Sequence, residues 1–157
     1  MATAATTSKA RRLIDWEEFD ALMHQLALAV APHRPDVVVG IARGGSIVGC
    51  TLSFLLGLDY FPIRLKKQGG ATRVVVPPPP DVKGRHVALV DDLSQSGETF
   101  KIAHHELTAV GTARITTVAL IRREPGFRPD AWALEVQSKV RFPWARDQLI
   151  DGKFVKR

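Results

Sequence analysis

The sequence predicts an α/β fold in which a mostly parallel, twisted sheet is flanked by helices, and three observations carry that prediction. Short apolar runs recur at Val37 to Ile41, Asp59 to Leu65, His86 to Val90, Ile115 to Ile121 and Ala131 to Val136. Stretches of helical spacing alternate with them, at Asp15 to Val30, Ile47 to Leu56 and Phe100 to Val110. Several of the strand-like runs are continuously hydrophobic rather than alternating, the pattern of strands covered on both faces. At 157 residues, 45% hydrophobic and 24% charged, the chain can bury one sizeable core and has no room for a second domain of ordinary size. Residues 1–157 are therefore expected to form one domain.

In chain order, Met1 to Lys9 is Ala/Thr-rich and lacks the apolar stretch of a secretory signal, so residues 1–12 are expected to be flexible. Trp16, Phe19, Leu22, Met23, Leu26, Ala27 and Val30 then lie on one helical stripe. Asp15 followed by Glu18 resembles a capping box, and Pro32 and Pro35 end the helix. Val37 to Ile41 is a short buried strand, Ile47 to Leu56 an almost uniformly apolar helix, and Asp59 to Leu65 a second strand closed by basic residues. The pattern breaks between Lys66 and Lys83, where Gly69, Gly70 and the prolines 77–80 imply either a functional flap or a disordered excursion; Val74 to Val76 could form one arm of a hairpin within it. His86 to Val90 is the next strand. Phe100, Ala103, Leu107 and Val110 mark one face of the following helix, which Gly111 caps. Ile115 to Ile121 and Ala131 to Val136 complete the strands, and the tail from Arg141 is expected to be irregular.

Composition narrows the function classes. No segment approaches the length needed to span a bilayer. The single Cys50 has no partner in the chain, which excludes an intramolecular disulfide and fits a reducing, cytoplasmic setting. The 22 Lys and Arg against 16 Asp and Glu give a formal charge of +6, which attracts polyanions. No long basic run occurs, and the aromatic residues are not interleaved with Lys and Arg as a base-stacking groove requires, so a substrate carrying several phosphates is favoured over nucleic acid.

The most informative segment is 87–99. An apolar strand stops at two adjacent carboxylates, Asp91 and Asp92, and Ser94, Gln95, Ser96, Gly97, Glu98 and Thr99 follow before a helix. Fixed carboxylates at a strand end can hold sugar hydroxyls or metal-bound water. The turn after them offers backbone N–H groups, hydroxyls and a positive helix terminus to a phosphate. Taken singly, each feature is more often a turn former or an ordinary N-cap. A second phosphate-like element, Gly40-Ile41-Ala42-Arg43-Gly44-Gly45-Ser46, again joins a strand to a helix, with adjacent glycines that permit close approach of an anion and an Arg43 fork of donors.

The 87–99 segment resembles the signature of the type I phosphoribosyltransferases: a hydrophobic strand, two acidic residues, an apolar residue, two variable residues, Thr or Ser, Gly, any residue, then Thr or Ser. Ala42-Arg43-Gly44-Gly45 is similar to the Ser-Arg-Gly-Gly of the xanthine-guanine members, lacking one hydroxyl. The resemblance runs from Val37 to about Trp144. It implies a parallel sheet with a flexible lid loop at 66–83 and a small hood formed from the two chain ends.

By that resemblance, Asp91 and Asp92 contact the ribose hydroxyls of phosphoribosyl pyrophosphate, residues 94–99 take its 5′-phosphate, and Ala42 to Gly45 take the pyrophosphate. Mg²⁺ is then held mainly through the substrate, with Asp91 and Asp92 as the protein's candidate ligands. Arg64, Lys66 and Lys67 would close over the phosphates, or else form a basic loop facing solvent. Arg122-Arg123-Glu124-Pro125-Gly126 resembles the segment in which the xanthine-guanine enzymes carry a base-reading Lys; Arg122 is the better aligned, with Arg123 as the alternative. Phe142-Pro143-Trp144 is similar to the Pro-Trp that follows their base-binding segment, so Val140 and Phe142 are candidates to line the base. Gln95 stands where purine enzymes usually carry an Asp that accepts the N7 proton, and a neutral amide orients a base without acting as a general base.

The resemblance thus implies transfer of a phosphoribosyl group to a free purine, in nucleotide salvage, by a homodimer or homotetramer. A phosphoribosyltransferase for another nucleobase or heterocycle, and a non-catalytic nucleotide- or RNA-binding regulator of the same fold, are the alternatives.

Overall fold

The structure, a computed structural model, describes residues 11–157. The flexible N-terminus expected from the sequence lies outside the described residues up to residue 10. Arg12 departs from that expectation, because it belongs to a short strand, β1 (Arg12–Leu13).

Helix α1 (Trp16–Val30) opens on Asp15, whose carboxylate accepts the Glu18 backbone N–H at 2.7 Å. Its Phe19, Leu22, Met23, Leu26 and Val30 are buried as their spacing predicts. Trp16 belongs to the same stripe but is 58% exposed, since the first turn overhangs the core and the ring leans toward Trp144, 6.2 Å away.

The sheet comprises β2 (Val37–Ala42), β3 (Asp59–Gln68), β4 (Ala71–Val76), β5 (His86–Ser94), β6 (Arg114–Arg123) and β7 (Ala131–Val136), in the order β4-β3-β2-β5-β6-β7. Every pairing is parallel except β3 with β4. Helices α2 (Gly44–Leu56) and α3 (Glu98–Val110) make the crossovers, and Gly111 ends α3 in the left-handed conformation predicted for it. The chain builds outward from β2 to β3 and β4 on one side, then to β5, β6 and β7 on the other. The carboxyl ends of β2 and β5 therefore bound a topological switch point, where open α/β sheets form their ligand crevice.

Strand alternation divides the core in two. Val38, Ala88, Val90, Val118 and Leu120 pack with α1 and α2, whereas Val37, Val39, Ile41, Val87 and Leu89 pack with Phe100, Ala103 and Leu107 of α3. Burial on both faces explains why β2 and β5 read as unbroken apolar runs.

Three expectations are corrected. Residues 66–76 are mostly a hairpin rather than a loop: β3 runs on to Gln68, and Gly69 and Gly70, at φ +58 and +80, turn it back into β4. Strand β5 continues through Asp91 and Asp92 to Ser94 instead of stopping at them, because β6 pairs with it as far as Ser94↔Arg122. The tail is not irregular. β8 (Val140–Arg141) pairs in parallel with β1, which builds the hood, and β9 (Asp147–Ile150) pairs with β10 (Lys153–Lys156) around Asp151 and Gly152. Among the described residues, no helix is long and apolar enough to cross a membrane.

Candidate active site

Alternation along β5 sends its two acidic residues to opposite faces. Asp91 continues the Val87 and Leu89 face toward α3, where its carboxylate accepts from Thr99 Oγ1 at 3.1 Å. Asp92 continues the Ala88 and Val90 face toward α2, and its carboxylate meets Gly44. A Cβ on Gly44 would lie 1.9 Å from Asp92 Oδ2, and one on Gly45 would lie 2.7 Å from the Val90 carbonyl oxygen and 3.1 Å from Asp91 Oδ1. At Gly45 backbone atoms leave no room for a side chain, and at Gly44 a side chain would displace the Asp92 carboxylate, which brings the Arg43 turn directly against the acidic pair.

Gly44 and Gly45 form the first turn of α2 with Arg43 as its N-cap, so this helix begins before the predicted Ile47. The peptide between Ala42 and Arg43 is cis. Neither α2 nor α3 has an N-cap residue whose side chain bonds to the helix, in contrast to α1 with Asp15. The nearest equivalent is a 3.3 Å contact from Glu98 N to Ser96 Oγ. Two helix N-termini with positive dipole ends thus flank two carboxylates at the switch point, an arrangement suited to an anion with hydroxyls between its charged ends.

A cavity of about 500 Å³ opens beside this cluster, lined by Arg43, Gly44, Ile47, Asp92 and Trp144 and closed by the β9–β10 hairpin. A second, of about 590 Å³, is lined by Arg122, Glu124, Pro125, Gly126 and Gln137.

Residues 15–149 match the family model of the phosphoribosyl transferase domain. The chain belongs to this family. An adenine phosphoribosyltransferase of Rhodospirillum centenum is 34% identical over 118 residues, covering 67% of this chain and 68% of that protein. An orotate phosphoribosyltransferase of Saccharolobus solfataricus is 30% identical over 152 residues, 93% of this chain and 75% of that one. The crystal structure of a purine phosphoribosyltransferase from Pyrococcus horikoshii superposes with a TM-score of 0.82 at 27% identity, covering 90% of this chain and 98% of its own. The fold is accordingly the type I phosphoribosyltransferase fold, and the protein is a phosphoribosyltransferase.

In this phosphoribosyltransferase, burial and the neighbouring Asp92 charge push the Asp91 carboxyl well above its ordinary value; the Asp92 N–H and Thr99 hydroxyl oppose the shift without cancelling it. Burial also raises Asp92. Two buried carboxyls so placed titrate as a pair, and each makes the other harder to ionise.

The 94–99 turn is backed by the 124–127 loop. Phe127 N donates to the Gln95 carbonyl at 2.7 Å, and Gly126 approaches so closely that a Cβ there would lie 2.2 Å from that oxygen. Ser94 is buried and its hydroxyl donates to the Phe127 carbonyl at 3.0 Å, so it fastens the turn, while Gln95, Ser96 and Glu98 are exposed. Arg64 lies beside Ala42 in the sheet register, and Lys66 and Lys67 stand on β3 rather than on a loop. Glu98 joins the hairpin to the turn, accepting from Thr72 Oγ1 at 3.0 Å with Lys67 Nζ 3.9 Å away.

The residues expected on the base side divide. Arg122 is buried and its Nη1 is spent on Glu124, at 2.7 Å, and on Glu135. Arg123 instead reaches the exposed Gln95 side chain, with Nη1 3.3 Å from Oε1. Val140 is half-buried in the hood. Phe142 is a core residue rather than a lining one: it is 6% exposed and stacked on Trp144, centroids 4.6 Å apart. Trp144, whose ring also meets Phe19 edge-on at 5.3 Å, is the aromatic residue at the 500 Å³ cavity. Sequence reasoning missed the hairpin wall of that cavity, Asp147, Gln148 and Leu149 with Arg157. The signal for it was Asp151-Gly152 between Ile150 and Lys153, a dipeptide that favours the tight turns of two-residue hairpins.

Proposed function

We propose that this phosphoribosyltransferase moves the 5-phosphoribosyl group of phosphoribosyl pyrophosphate onto a purine base of the hypoxanthine, guanine or xanthine type and releases pyrophosphate, as a one-domain, cytoplasmic enzyme of nucleotide salvage. The observation that carries this reading is the pair of helix N-termini meeting one acidic pair, with Gly44 seated on Asp92. The bond from C1′ to the pyrophosphate oxygen breaks, an imidazole nitrogen of the base forms the new bond to C1′ through its lone pair, and the proton on the other imidazole nitrogen leaves to water. Positive charge grows on the ribose and negative charge on the departing group.

In this reading, Arg43 and the Gly44 and Gly45 N–H groups stabilise the leaving pyrophosphate, and the first turn of α3 with Ser96 and Thr99 holds the 5′-phosphate. Asp91 and Asp92 hold the ribose hydroxyls. These two carboxylates, beside two anion-binding turns, fit a Mg²⁺ that keeps most of its ligands from substrate and water, and when bound it neutralises the departing charge. The β3–β4 hairpin, with Arg64, Lys66 and Lys67, excludes water from the reacting sugar. Val140 and Trp144 line the base, and Arg123, adjoining Gln95, reads it from the far side.

The purine preference is supported by the likeness to the Pyrococcus purine enzyme over nearly its whole length. Gln95 supplies no general base, which favours acceptors that lose their proton readily. A second copy of the chain would cover Leu28, Phe54 and Leu55, of which Phe54 is 84% exposed, giving a homodimer or homotetramer. The experiment is pyrophosphate release with Mg²⁺ across hypoxanthine, guanine, xanthine, adenine and orotate. Fastest turnover on a 6-oxopurine supports the reading. Fastest turnover on adenine or orotate replaces the acceptor and leaves the transferase.

A further inference from the structure

Tyr60 lies under the pyrophosphate turn in a space that two glycines open for it. It stands on β3 opposite Val38. A Cβ on Gly40 of β2 would lie 2.8 Å from the Tyr60 hydroxyl oxygen, and a Cβ on Gly49 of α2 would lie 3.1 Å from its ring. That same point at Gly40 is 2.5 Å from the Gly45 carbonyl oxygen, so the hydroxyl is delivered to the first turn of α2. There it has no hydrogen-bond partner. Among the described residues, the Tyr60 hydroxyl and Arg122 Nε are the two buried side-chain polar atoms in that condition. Ser46, one residue beyond the glycine pair, lies beside the hydroxyl without the geometry of a bond.

A phenylalanine would fill the same space without leaving a polar atom dry, so the hydroxyl costs stability in the free protein. We propose that Tyr60 is a positioning residue for the phosphoribosyl pyrophosphate site: when the pyrophosphate end draws in the first turn of α2, the Tyr60 hydroxyl and Ser46 close a hydrogen bond that fixes the Arg43–Gly45 donors. The inference rests on the proposed function. It assigns to a residue outside the cleft the task of holding the anion-binding turn in its occupied form. Because the bond serves the bound ground state and the transition state alike, its loss weakens binding of the sugar without slowing the chemical step.

The test compares wild type, Tyr60→Phe, Ser46→Ala and the double variant, measuring the KM for phosphoribosyl pyrophosphate with Mg²⁺, kcat, and the thermal midpoint without ligand. Each single variant raises that KM roughly 3- to 10-fold, as one hydrogen bond allows, with kcat unchanged. The double variant loses no more than either single one. The Tyr60→Phe midpoint without ligand stays level or rises. A lowered midpoint with unchanged KM makes the hydroxyl an ordinary structural group and overturns the proposal, as does additive loss in the double variant or no change in any quantity. A wild-type protein that neither binds nor turns over the sugar removes the proposed function itself, an outcome read before any variant is made.

Discussion

The Asp92 carboxylate lies against the Cα of Gly44, so closely that a methyl group there would sit 1.9 Å from Oδ2. This contact joins the carboxyl end of β5 to the first turn of α2, and with it the pair proposed to hold the ribose to the turn proposed to hold the pyrophosphate. Gly44→Ala must rotate Asp92 or lift the turn. We expect kcat/KM to fall about 10²-fold or more, the scale of loss when reacting groups are misplaced by an ångström, and stability to fall far less, because the displaced atoms are the end of the Asp92 side chain. Steady-state kinetics together with a denaturant titration check both.

Asp91 carries a pH signature. Its carboxyl in the folded protein titrates well above its ordinary value of 3.8 because it is buried beside Asp92. Below the unfolded value both states hold the proton and nothing is lost. As pH rises, the unfolded chain releases its proton first, so stability is lost up to the folded value. Asp91→Asn carries no such loss. Its thermal midpoint should exceed that of wild type at pH 7, with the advantage shrinking toward pH 3, while activity falls by about 10²-fold or more as the fixed carboxylate is removed. Calorimetric scans over that pH range show the convergence.

The two neighbouring arginines should separate cleanly. Arg122 is locked between Glu124 and Glu135, whose side chains are 38% and 42% exposed, so water absorbs part of the charge released when it is removed. Arg122→Met should cost about 1–2 kcal/mol of stability. Arg123→Met should leave stability within about 0.5 kcal/mol and raise the KM for the base roughly 3- to 10-fold, the worth of one hydrogen bond. Chemical denaturation and base titrations of the two variants distinguish the roles.

Glu98 is the tie between the hairpin and the 94–99 turn. The bond from Thr72 is made to a charged acceptor, whereas Lys67 is 79% exposed and 3.9 Å away. Glu98→Ala should reduce amide-exchange protection in residues 66–76 by about 3- to 10-fold, and Lys67→Ala should change it far less, since an exposed ion pair contributes little. Hydrogen exchange read by mass spectrometry reports both.

The central fold was readable where the cause was local. Val37 to Ile41 and Val87 to Val90 are continuous because helices cover both faces, and α3 shows its face in Phe100, Ala103 and Leu107. The paired motifs were legible for a similar reason: each is a strand, a turn and a helix start in consecutive residues. Other features depend on contacts distant in sequence. Nothing near Arg122 announces that Glu135, opposite it on β7, will claim its guanidinium. Phe142 looked like a lining residue because the stack that buries it involves Trp144 folded back by Pro143. The C-terminal hairpin carried its sign in Asp151-Gly152, at φ +48 and +75, but its strands are exposed on a rim and lack the apolar run that marks a sheet core.

The most direct test of the account is isothermal calorimetry of phosphoribosyl pyrophosphate with Mg²⁺ against wild type and Gly44→Ala. One site per chain with a clear heat in wild type, abolished or weakened at least about tenfold in the variant, is the predicted result. Absence of heat in wild type, or equal affinity in both proteins, would contradict the claim that these two turns grip one substrate.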